Sequence, residues 1–156
     1  MKQKSNAREY AFKFLYSLFL EKGELNKERI PLEKAISDFD KTYFEPDQEH
    51  PSTPLDAAAK NFAAKLIEGT LDNESTLRDE LKNALLRWKI EQLDKVDLTL
   101  LLMAQFELKH LPETPPKVVM NESINLSKLY GSSESSGFIN GLLDTLAKQY
   151  GHNTAS

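Results

Sequence analysis

Residues 115–150 read PPKVVMNESINLSKLYGSSESSGFINGLLDTLAKQY, and the spacing of their apolar residues determines the class of structure. Pro115 and Pro116 cannot continue a preceding helix, but they suit the first turn of a new one. Apolar residues then recur at intervals of three and four in two sets. The first set is Val119, Met120, Ile124, Leu126 and Tyr130, and the second is Phe138, Ile139, Leu142, Leu143, Leu146 and Tyr150. Gly131 and the serine bridge, residues 132–136, separate the sets, which predicts two amphipathic helices joined by a short connection.

Helical spacing extends through most of the remaining chain. It predicts helices over about 6–22, 55–69 and 75–85, with Gly69 as a stop signal near the end of the second. Residues 94–110 are apolar on every side after an acidic first turn, so we expect this helix at the centre of the fold, surrounded by the others. The sequence therefore predicts an all-α fold of six or seven helices with no strand.

Two single residues inside these patterns need an explanation. Gly141 lies within the second amphipathic set, where a glycine costs about 1 kcal/mol relative to alanine. We therefore expect it to be in close contact with a neighbouring backbone. Trp88 falls just beyond the helix that ends near residue 85, and we expect its large ring to fill the core between two groups of helices.

The stretch from Glu21 to Pro54 is the least regular part of the chain. It predicts one helix, from Leu32 to Phe39, while Pro46, Pro51 and Pro54 indicate loop. From Glu21 to Asp56 five bases face ten acids. We expect a solvated acidic insertion that takes no part in nucleic-acid binding. It would belong to a single domain whose other helical part spans 55–150 and is followed by a short tail, 151–156.

Composition excludes several classes of protein. The chain of 156 residues has the length of one domain, and it has no cysteine, which excludes disulfides and thiol chemistry. Its most apolar run, residues 96–108, contains charged residues and is shorter than the about 20 residues that cross a bilayer. No signal-peptide pattern opens the chain. We therefore expect a cytoplasmic protein without membrane contact.

The sequence contains no pattern for catalysis or for a cofactor. The three histidines, His50, His110 and His152, lack metal-ligand spacing, and the six glycines are spread singly, so they form no phosphate-binding loop. The serines of the bridge have no histidine base nearby in the sequence. We predict that the protein is not an enzyme and that it holds no cofactor and no metal.

Charge is distributed unevenly along the chain. The net charge is -4, yet the first sixteen residues hold four bases and one acid. The bases are Lys2, Lys4, Arg8 and Lys13. A protein that binds nucleic acid non-specifically needs a basic surface. We therefore expect any nucleic-acid contact to be local and centred on the amino terminus. The alternative is that Lys2 and Lys4 form an ordinary solvated tail.

Two groups of residues could bind single-stranded RNA. Arg8, Phe12 and Tyr16 follow one another at intervals of four, which places a cation and two rings along one edge of the first helix. Ser135 lies at a helix start, where hydroxyls and free amide hydrogens favour a phosphate, and Phe138 adds a ring for stacking. The alternative is that the rings belong to the core, which we favour for Phe12 and, from the residues alone, for Phe138.

The order of motifs resembles that of the NusB family of transcription antitermination factors. PPKVVMNESINLSKLYG followed by FINGLLD is similar to the carboxyl-terminal signature of the family. AREYAFKFLYS, residues 7–17, and LDKVDLTLLLMAQFEL, residues 93–108, resemble two further landmarks. The resemblance covers both ends of the chain and leaves only Glu21 to about Pro54 without a counterpart.

The resemblance implies a fold and a function. NusB proteins are all-helical, with two small bundles packed across each other. With NusE, a protein of the small ribosomal subunit, they bind the boxA element of nascent ribosomal RNA and join the elongating RNA polymerase. By position, Arg8, Tyr16, Glu134 and Phe138 match family positions implicated in RNA contact, together with the basic amino terminus. Glu91 and Asp97 would lie on the side that meets NusE.

This chain departs from the family pattern in two respects. It has Lys2, Lys4 and Arg8 where many members open with consecutive arginines, and lysine lacks the planar fork that grips phosphate. Leu98 and Leu102 replace frequent basic residues of the central helix, which indicates an apolar packing seam or a self-association surface. A helical protein-binding adaptor or homodimer with little RNA affinity is therefore an alternative. Another is the RNA-recruiting front end of ribosomal RNA cytosine methyltransferases, which share the fold.

Overall fold

The computed structural model of the chain describes residues 2–22, 32–43 and 55–153. These residues form seven α-helices and one short 3-10 turn and contain no strand, so the all-α prediction is confirmed. In the same ranges, no helix is long and apolar enough to cross a membrane. The helices are α1 (Lys2–Lys22), α2 (Leu32–Tyr43), α3 (Ala57–Asp72), α4 (Glu74–Ala84), α5 (Lys95–His110), α6 (Pro116–Tyr130) and α7 (Ser135–Gln149), and the 3-10 turn is Ile90–Gln92.

Helix α5 lies at the centre of the fold, as its apolar sequence predicts. It packs against α1, α3, α4, α6 and α7, and every residue from Val96 to Leu108 is buried. Asp94 caps its start, because the Asp94 carboxylate accepts a hydrogen bond from the backbone N–H of Val96 at 2.8 Å. Helices α1 and α3 pack together on α5, and so do α6 and α7. Two small bundles therefore share this central helix, as expected.

The two carboxyl-terminal helices begin and end where the sequence predicts. Pro115 precedes α6 and Pro116 is its first residue, while Gly131 follows its last turn. Helix α7 then opens on Ser135. A fixed proline φ and the lost N–H are tolerated only at a helix start, which is why the two prolines locate this boundary correctly.

Two glycines differ from expectation. A Cβ built on Gly141 would meet nothing within 4 Å among the described residues, so the predicted backbone contact is wrong. Gly69 lies inside α3, which continues to Asp72. A Cβ at Gly69 would overlap the ring of Phe106 on α5. Gly69 therefore permits a close approach between α3 and α5, and it does not stop the helix.

The predicted core position of Trp88 is wrong. Helix α4 ends at Ala84, and Leu85 already has an extended backbone. In the connection to the 3-10 turn, Leu86 is 94% exposed and Trp88 is 56% exposed. The indole remains at the surface because the helix that would direct it inward ends four residues earlier.

Part of the acidic insertion packs against the core. The ring of Phe39 on α2 lies 5.3 Å from the rings of Tyr10 and Phe14 on α1, edge to face in both cases. The Tyr10 hydroxyl also donates a hydrogen bond to Asp40. The helix predicted from Leu32 is therefore present, and its described part is not simply solvated. Residues 23–31 and 44–54 of the insertion lie outside the described residues.

Candidate nucleic-acid and partner interface

Arg8 forms a buried ion pair between α1 and α5. Only 4% of its surface is exposed. Its Nε donates a hydrogen bond to Oε1 of Glu107 at 2.9 Å, and its Nη2 donates one to Oε2 at 2.6 Å. The guanidinium also lies 5.0 Å from the ring centre of Phe62. Because these contacts hold the cation inside the fold, a phosphate contact by Arg8 would first have to break the pair with Glu107.

A surface of rings forms where α1 meets the end of α6. Phe12 is buried, as favoured, and its ring lies 5.8 Å from that of Tyr16 and 5.3 Å from that of Tyr130. The Lys13 ammonium lies 5.5 Å from the ring centre of Tyr130, whose hydroxyl donates a hydrogen bond to Glu9 at 3.0 Å. Tyr16 and Tyr130 are only partly covered. Lys13, Tyr16 and Tyr130 are called the ring surface below.

Tyr130 connects the ring surface to the serine bridge. It is the last residue of α6, and Gly131 follows it directly. The bridge therefore begins two residues after a ring that contacts α1. This adjacency brings Tyr16 to the same side of the molecule as the start of α7. The sequence contains one indication that Tyr130 is partly exposed. It is the last member of its apolar set, and a ring at the end of a helix is covered on one side only.

The residues at the start of α7 differ in exposure. Glu134 is exposed, and Phe138 is partly buried against the core. Ser135 is only 2% exposed. Its Oγ accepts a hydrogen bond from the backbone N–H of Ser132 at 3.0 Å. The Ser135 hydroxyl therefore holds the bridge together, and the solvent-facing members are Ser132, Ser133 and Glu134.

The amino-terminal lysines lie further along α1. Lys4 is exposed, and its ammonium lies 5.2 Å from the ring centre of Phe62 on α3. It precedes Lys13 by nine residues, which is about 14 Å along a helix. The side chain of Lys2 is outside the described part of the structure. Lys13, which the resemblance did not single out, is therefore the amino-terminal cation that the fold brings to the rings.

The two carboxylates expected to meet a partner lie in different environments. Glu91 is exposed on the 3-10 turn. Asp97 is only 8% exposed. Burial raises the pKa of the Asp97 carboxyl above its usual value, a hydrogen bond with Ser135 acts against this shift, and the charge of Asp94 adds to it. Asp97 therefore offers little area to another molecule.

A groove and an apolar segment lie beside Glu91. The groove has a volume of about 360 Å³ and runs between α4 and the 3-10 turn. It is lined by Glu74, Ser75, Arg78, Asp79, Lys82, Ile90 and Glu91. The exposed Leu86 and Trp88 belong to the segment that connects the same two elements. Leu86, Trp88 and Glu91 are called the partner surface, because exposed tryptophans are typical of the centres of protein interfaces.

Leu98 and Leu102 both lie in the core of the chain itself. Their exposed fractions are small, and α5 is surrounded by five other helices. Of the two roles that the sequence left open, the structure therefore supports an internal packing seam.

The fold and these surfaces define an all-helical protein with two bundles that share one central helix. Its exposed candidate residues lie on α1, at the junction of α6 and α7, and beside the 3-10 turn. In the described ranges, no group of three His, Asp or Glu residues could hold a metal ion. The chain belongs to the NusB family, whose model matches residues 5–148.

Individual relatives agree with this membership. The transcription antitermination protein NusB of Syntrophus aciditrophicus is 38% identical over 146 residues, which cover 94% of this chain and 80% of that protein. The NusB protein of Geotalea daltonii is 32% identical over 147 residues, which cover 94% of this chain and 95% of that protein.

Solved structures show the same fold. The NusB of T. maritima matches with a TM-score of 0.75 at 28% identity and covers 94% of this chain and 91% of its own. A crystal structure of the antitermination factors NusB and NusE in complex with double-stranded RNA matches with a TM-score of 0.76 at 22% identity, covering 96% of this chain and 99% of that chain.

Proposed function

We propose that this protein is an RNA-binding transcription antitermination factor that acts together with NusE. The pair binds boxA-type RNA of nascent ribosomal RNA transcripts and joins the elongating RNA polymerase. The protein acts by binding and not by catalysis. Family membership supports the class of function, and a protein of the same fold has been solved with NusE and RNA.

The observation that carries the RNA part of the proposal is the position of Tyr130 between the ring surface and the serine bridge. Unpaired bases stack on aromatic side chains, and each such base contributes about 1–3 kcal/mol. Tyr16 and Tyr130 offer partly exposed rings on one side of this junction, and Phe138 offers another on α7. Lys13, whose ammonium lies beside the Tyr130 ring, supplies a cation for the RNA backbone.

The start of α7 completes this RNA surface. Its first backbone N–H groups form the positive end of the helix dipole, which favours a phosphate. The exposed Glu134 stands directly before this helix start, accepts hydrogen bonds from the amino groups of bases, and by its negative charge offsets part of the attraction for phosphate. This surface therefore contributes more to sequence specificity than to non-specific affinity for RNA.

RNA affinity of the protein alone is modest in this proposal. Arg8 is engaged by Glu107, and the net charge of the chain is -4. The remaining cations near the amino terminus are lysines, Lys2, Lys4 and Lys13, which bind phosphate as point charges without the planar fork of arginine. Tight binding therefore depends on the cations that NusE contributes.

The partner surface binds NusE in this proposal. Trp88 and Leu86 supply exposed apolar area, and Glu91 supplies a negative charge for a basic partner. Opposite charge mainly accelerates encounter and fixes register, so most of the affinity comes from the indole.

Two pairs of substitutions separate the surfaces. Lys13→Ala combined with Tyr16→Ala should weaken binding of a fluorescent boxA-type RNA by about 10- to 100-fold and leave NusE affinity unchanged. Trp88→Ala combined with Glu91→Gln should weaken NusE binding about tenfold or more and leave direct RNA binding unchanged. Fluorescence anisotropy measures the first and calorimetry measures the second.

Matched controls remove similar side chains elsewhere. Lys65→Ala removes an exposed lysine from α3 and should leave RNA affinity unchanged, and Leu129→Ala removes an exposed leucine and should leave NusE affinity unchanged. If all variants keep the RNA affinity of the parent protein, the RNA surface is wrongly placed. If the parent protein binds NusE but no RNA with or without it, the protein is a protein-binding adaptor.

A further inference from the structure

Glu74 is a buried carboxylate with one unpartnered oxygen. It is the first residue of α4, and only 5% of its surface is exposed. Its Oε2 accepts a hydrogen bond from Nε of Arg78, one turn further along the helix, at 2.7 Å. Its Oε1 is also buried, and among the described residues it accepts no hydrogen bond. Because a buried carboxylate oxygen without a partner is unfavourable, the position of Oε1 needs an explanation.

The ion pair with Arg78 does not supply that explanation. A pair at this spacing supports a helix whether or not its carboxylate is buried, and this one occupies only Oε2. The guanidinium carbon of Arg78 lies 5.4 Å from the ring centre of Phe19 on α1, which holds the cation against a second helix. Arg78 therefore keeps the Glu74 side chain in place and leaves Oε1 to another donor.

Glu74 lies in the wall of the groove between α4 and the 3-10 turn. The groove has a volume of about 360 Å³, and ligand pockets range over about 300–1,000 Å³. A pocket at the lower end of this range suits a side chain better than a cofactor. The buried Ile90 adds an apolar wall for the methylene groups of such a side chain.

The charges of the groove favour a cation. Since Arg78 is paired with Glu74, the exposed charged residues that remain in the lining are Asp79, Glu91 and Lys82. Two of these are acids, and Lys82 opposes them with one positive charge. A positively charged group would also give Oε1 of Glu74 the donor that it needs, whereas an anion would meet a carboxylate oxygen.

The chemistry of the groove favours an arginine over other cations. Among the residues that the structure describes, no group of three His, Asp or Glu could hold a metal ion. A lysine ammonium is a point charge, whereas the guanidinium group is planar and carries five N–H donors. One edge of a guanidinium can therefore bond Oε1 of Glu74 while another edge faces the exposed carboxylates.

The position of the groove indicates where such an arginine comes from. The exposed Leu86 and Trp88 of the partner surface lie in the segment that connects α4 to the 3-10 turn, and these two elements form the groove. Glu91 belongs both to the partner surface and to the lining of the groove. A protein that covers Trp88 is therefore next to the groove and can extend a side chain into it.

We propose that the groove is a binding pocket for one arginine side chain of the partner protein, with Oε1 of Glu74 as the buried acceptor and with Asp79 and Glu91 at the rim. This inference rests on the proposed binding of NusE by the partner surface. It adds Glu74 to that surface and states which kind of residue NusE must supply.

The pocket can be tested without NusE. N-acetyl-arginine amide is titrated into the full-length protein, and the amide NMR resonances are followed. We expect saturable shifts confined mainly to residues 74–82 and 90–91. N-acetyl-citrulline amide has nearly the same shape without the charge, and N-acetyl-lysine amide has the charge without the planar group, so both should bind more weakly.

Substitutions in α4 show whether Glu74 is responsible. Glu74→Gln keeps an oxygen for Arg78 but removes the negative charge, and it should weaken binding of the arginine probe about tenfold. The matched control is Glu80→Gln, which removes a carboxylate of α4 that pairs with Lys109 outside the groove and should have no effect. Should Glu74→Gln not fold, Ser75→Lys adds a positive charge at an exposed residue of the lining and should also weaken binding of the probe.

The origin of the arginine is tested by double-mutant cycles measured by calorimetry. Glu74→Gln should weaken NusE binding about tenfold and leave direct RNA binding unchanged. Each arginine of NusE is then changed singly to glutamine and measured against the parent protein and against Glu74→Gln. For one arginine the two losses should not add, because both substitutions remove the same interaction, and for the others they should add.

Several results would overturn the proposal. One is equal binding of the arginine and citrulline probes, and another is unchanged binding of the arginine probe in Glu74→Gln. Groove resonances that respond to inorganic phosphate and not to the arginine probe would show an anion site. Additive losses for every arginine of NusE would show that none enters the groove. If the parent protein binds the arginine probe through Glu74 but does not bind NusE, the pocket is supported and the proposed function fails.

Discussion

Arg8 and Glu107 are held together by two parallel hydrogen bonds, of 2.9 and 2.6 Å, between a helix of the amino-terminal bundle and the central helix. Both side chains are almost completely buried. The carboxylate of Glu122 lies 3.9 Å from the same guanidinium on its other side. This geometry makes Arg8 part of the framework that orients α1 relative to α5, and α1 carries Lys13 and Tyr16 of the ring surface.

Arg8→Ala should destabilise the fold by about 3–5 kcal/mol, because it leaves the Glu107 carboxylate buried without a partner. Urea denaturation followed by circular dichroism measures the loss. Replacing both partners by apolar residues, Arg8→Met with Glu107→Leu, should restore most of the stability. As a control, Lys4→Ala on the same helix should change stability by less than about 0.5 kcal/mol. A fully stable Arg8→Ala protein that had lost only RNA affinity would show that Arg8 is a surface contact.

Glycine to alanine substitutions at two positions should have opposite effects. Gly69→Ala forces a methyl group into the Phe106 ring and should cost about 1–3 kcal/mol. Gly141→Ala, in the middle of α7, meets no described residue within 4 Å and should stabilise the protein by about 0.4–1 kcal/mol. Thermal unfolding of the two variants beside the parent protein measures both. Equal effects at the two positions would contradict the packing of α3 on α5.

Leu101→Ala should cost about 2–5 kcal/mol, because the side chain is completely buried in α5 and its removal leaves a cavity. Leu86→Ala removes the same atoms from a side chain that is 94% exposed and should change stability by less than about 0.5 kcal/mol. The comparison uses chemical denaturation under identical conditions. A loss near zero for Leu101→Ala would refute the central position of α5.

The charge of Asp97 should lower stability as pH rises. Its pKa in the folded protein is raised by burial above the ordinary 3.8, so the folded state holds this proton more tightly than the unfolded state does. The resulting stabilisation is fully present below about pH 3.8, and it is lost as the pH rises through the folded-state pKa of Asp97. Asp97→Asn is neutral throughout, so its stability relative to the parent should improve over that window and then level off. Urea midpoints measured between pH 4 and 7 should show this rise, and a difference independent of pH would mean that the Asp97 pKa is not raised.

The fold followed from the sequence wherever one helix alone determines the environment of its residues. The unbroken apolar run of α5 predicts burial on every side, Asp94 has the side chain that caps a helix, and Pro116 fits only a first turn. These signals lie within a few residues of the feature they specify. Helix bounds were less accurate at α1, which begins at Lys2 and not near Asn6.

The sequence was less informative where a residue distant in the chain determines the environment of a side chain. The burial of Arg8 was not predicted, because its partner Glu107 lies 99 residues away in the chain. Gly69 and Gly141 both lie within helical patterns, and only the position of the Phe106 ring distinguishes them. Trp88 was assigned to the core because of its size, whereas the end of α4 determines where it lies. Of the residues of the ring surface, the sequence singled out only Tyr16 for RNA contact, whereas Lys13 was named only as an amino-terminal base and Tyr130 only as a member of an apolar set.

The most direct test of RNA binding with NusE is an anisotropy titration of a labelled boxA-type RNA with the full-length protein, at one fixed ionic strength, with and without saturating NusE. We predict weak binding by the protein alone, weakening further as salt is added, and binding at least about tenfold tighter with NusE. A scrambled RNA of the same length should bind more weakly under both conditions. Absence of binding with and without NusE, or equal affinity for the scrambled RNA, would contradict the proposed function.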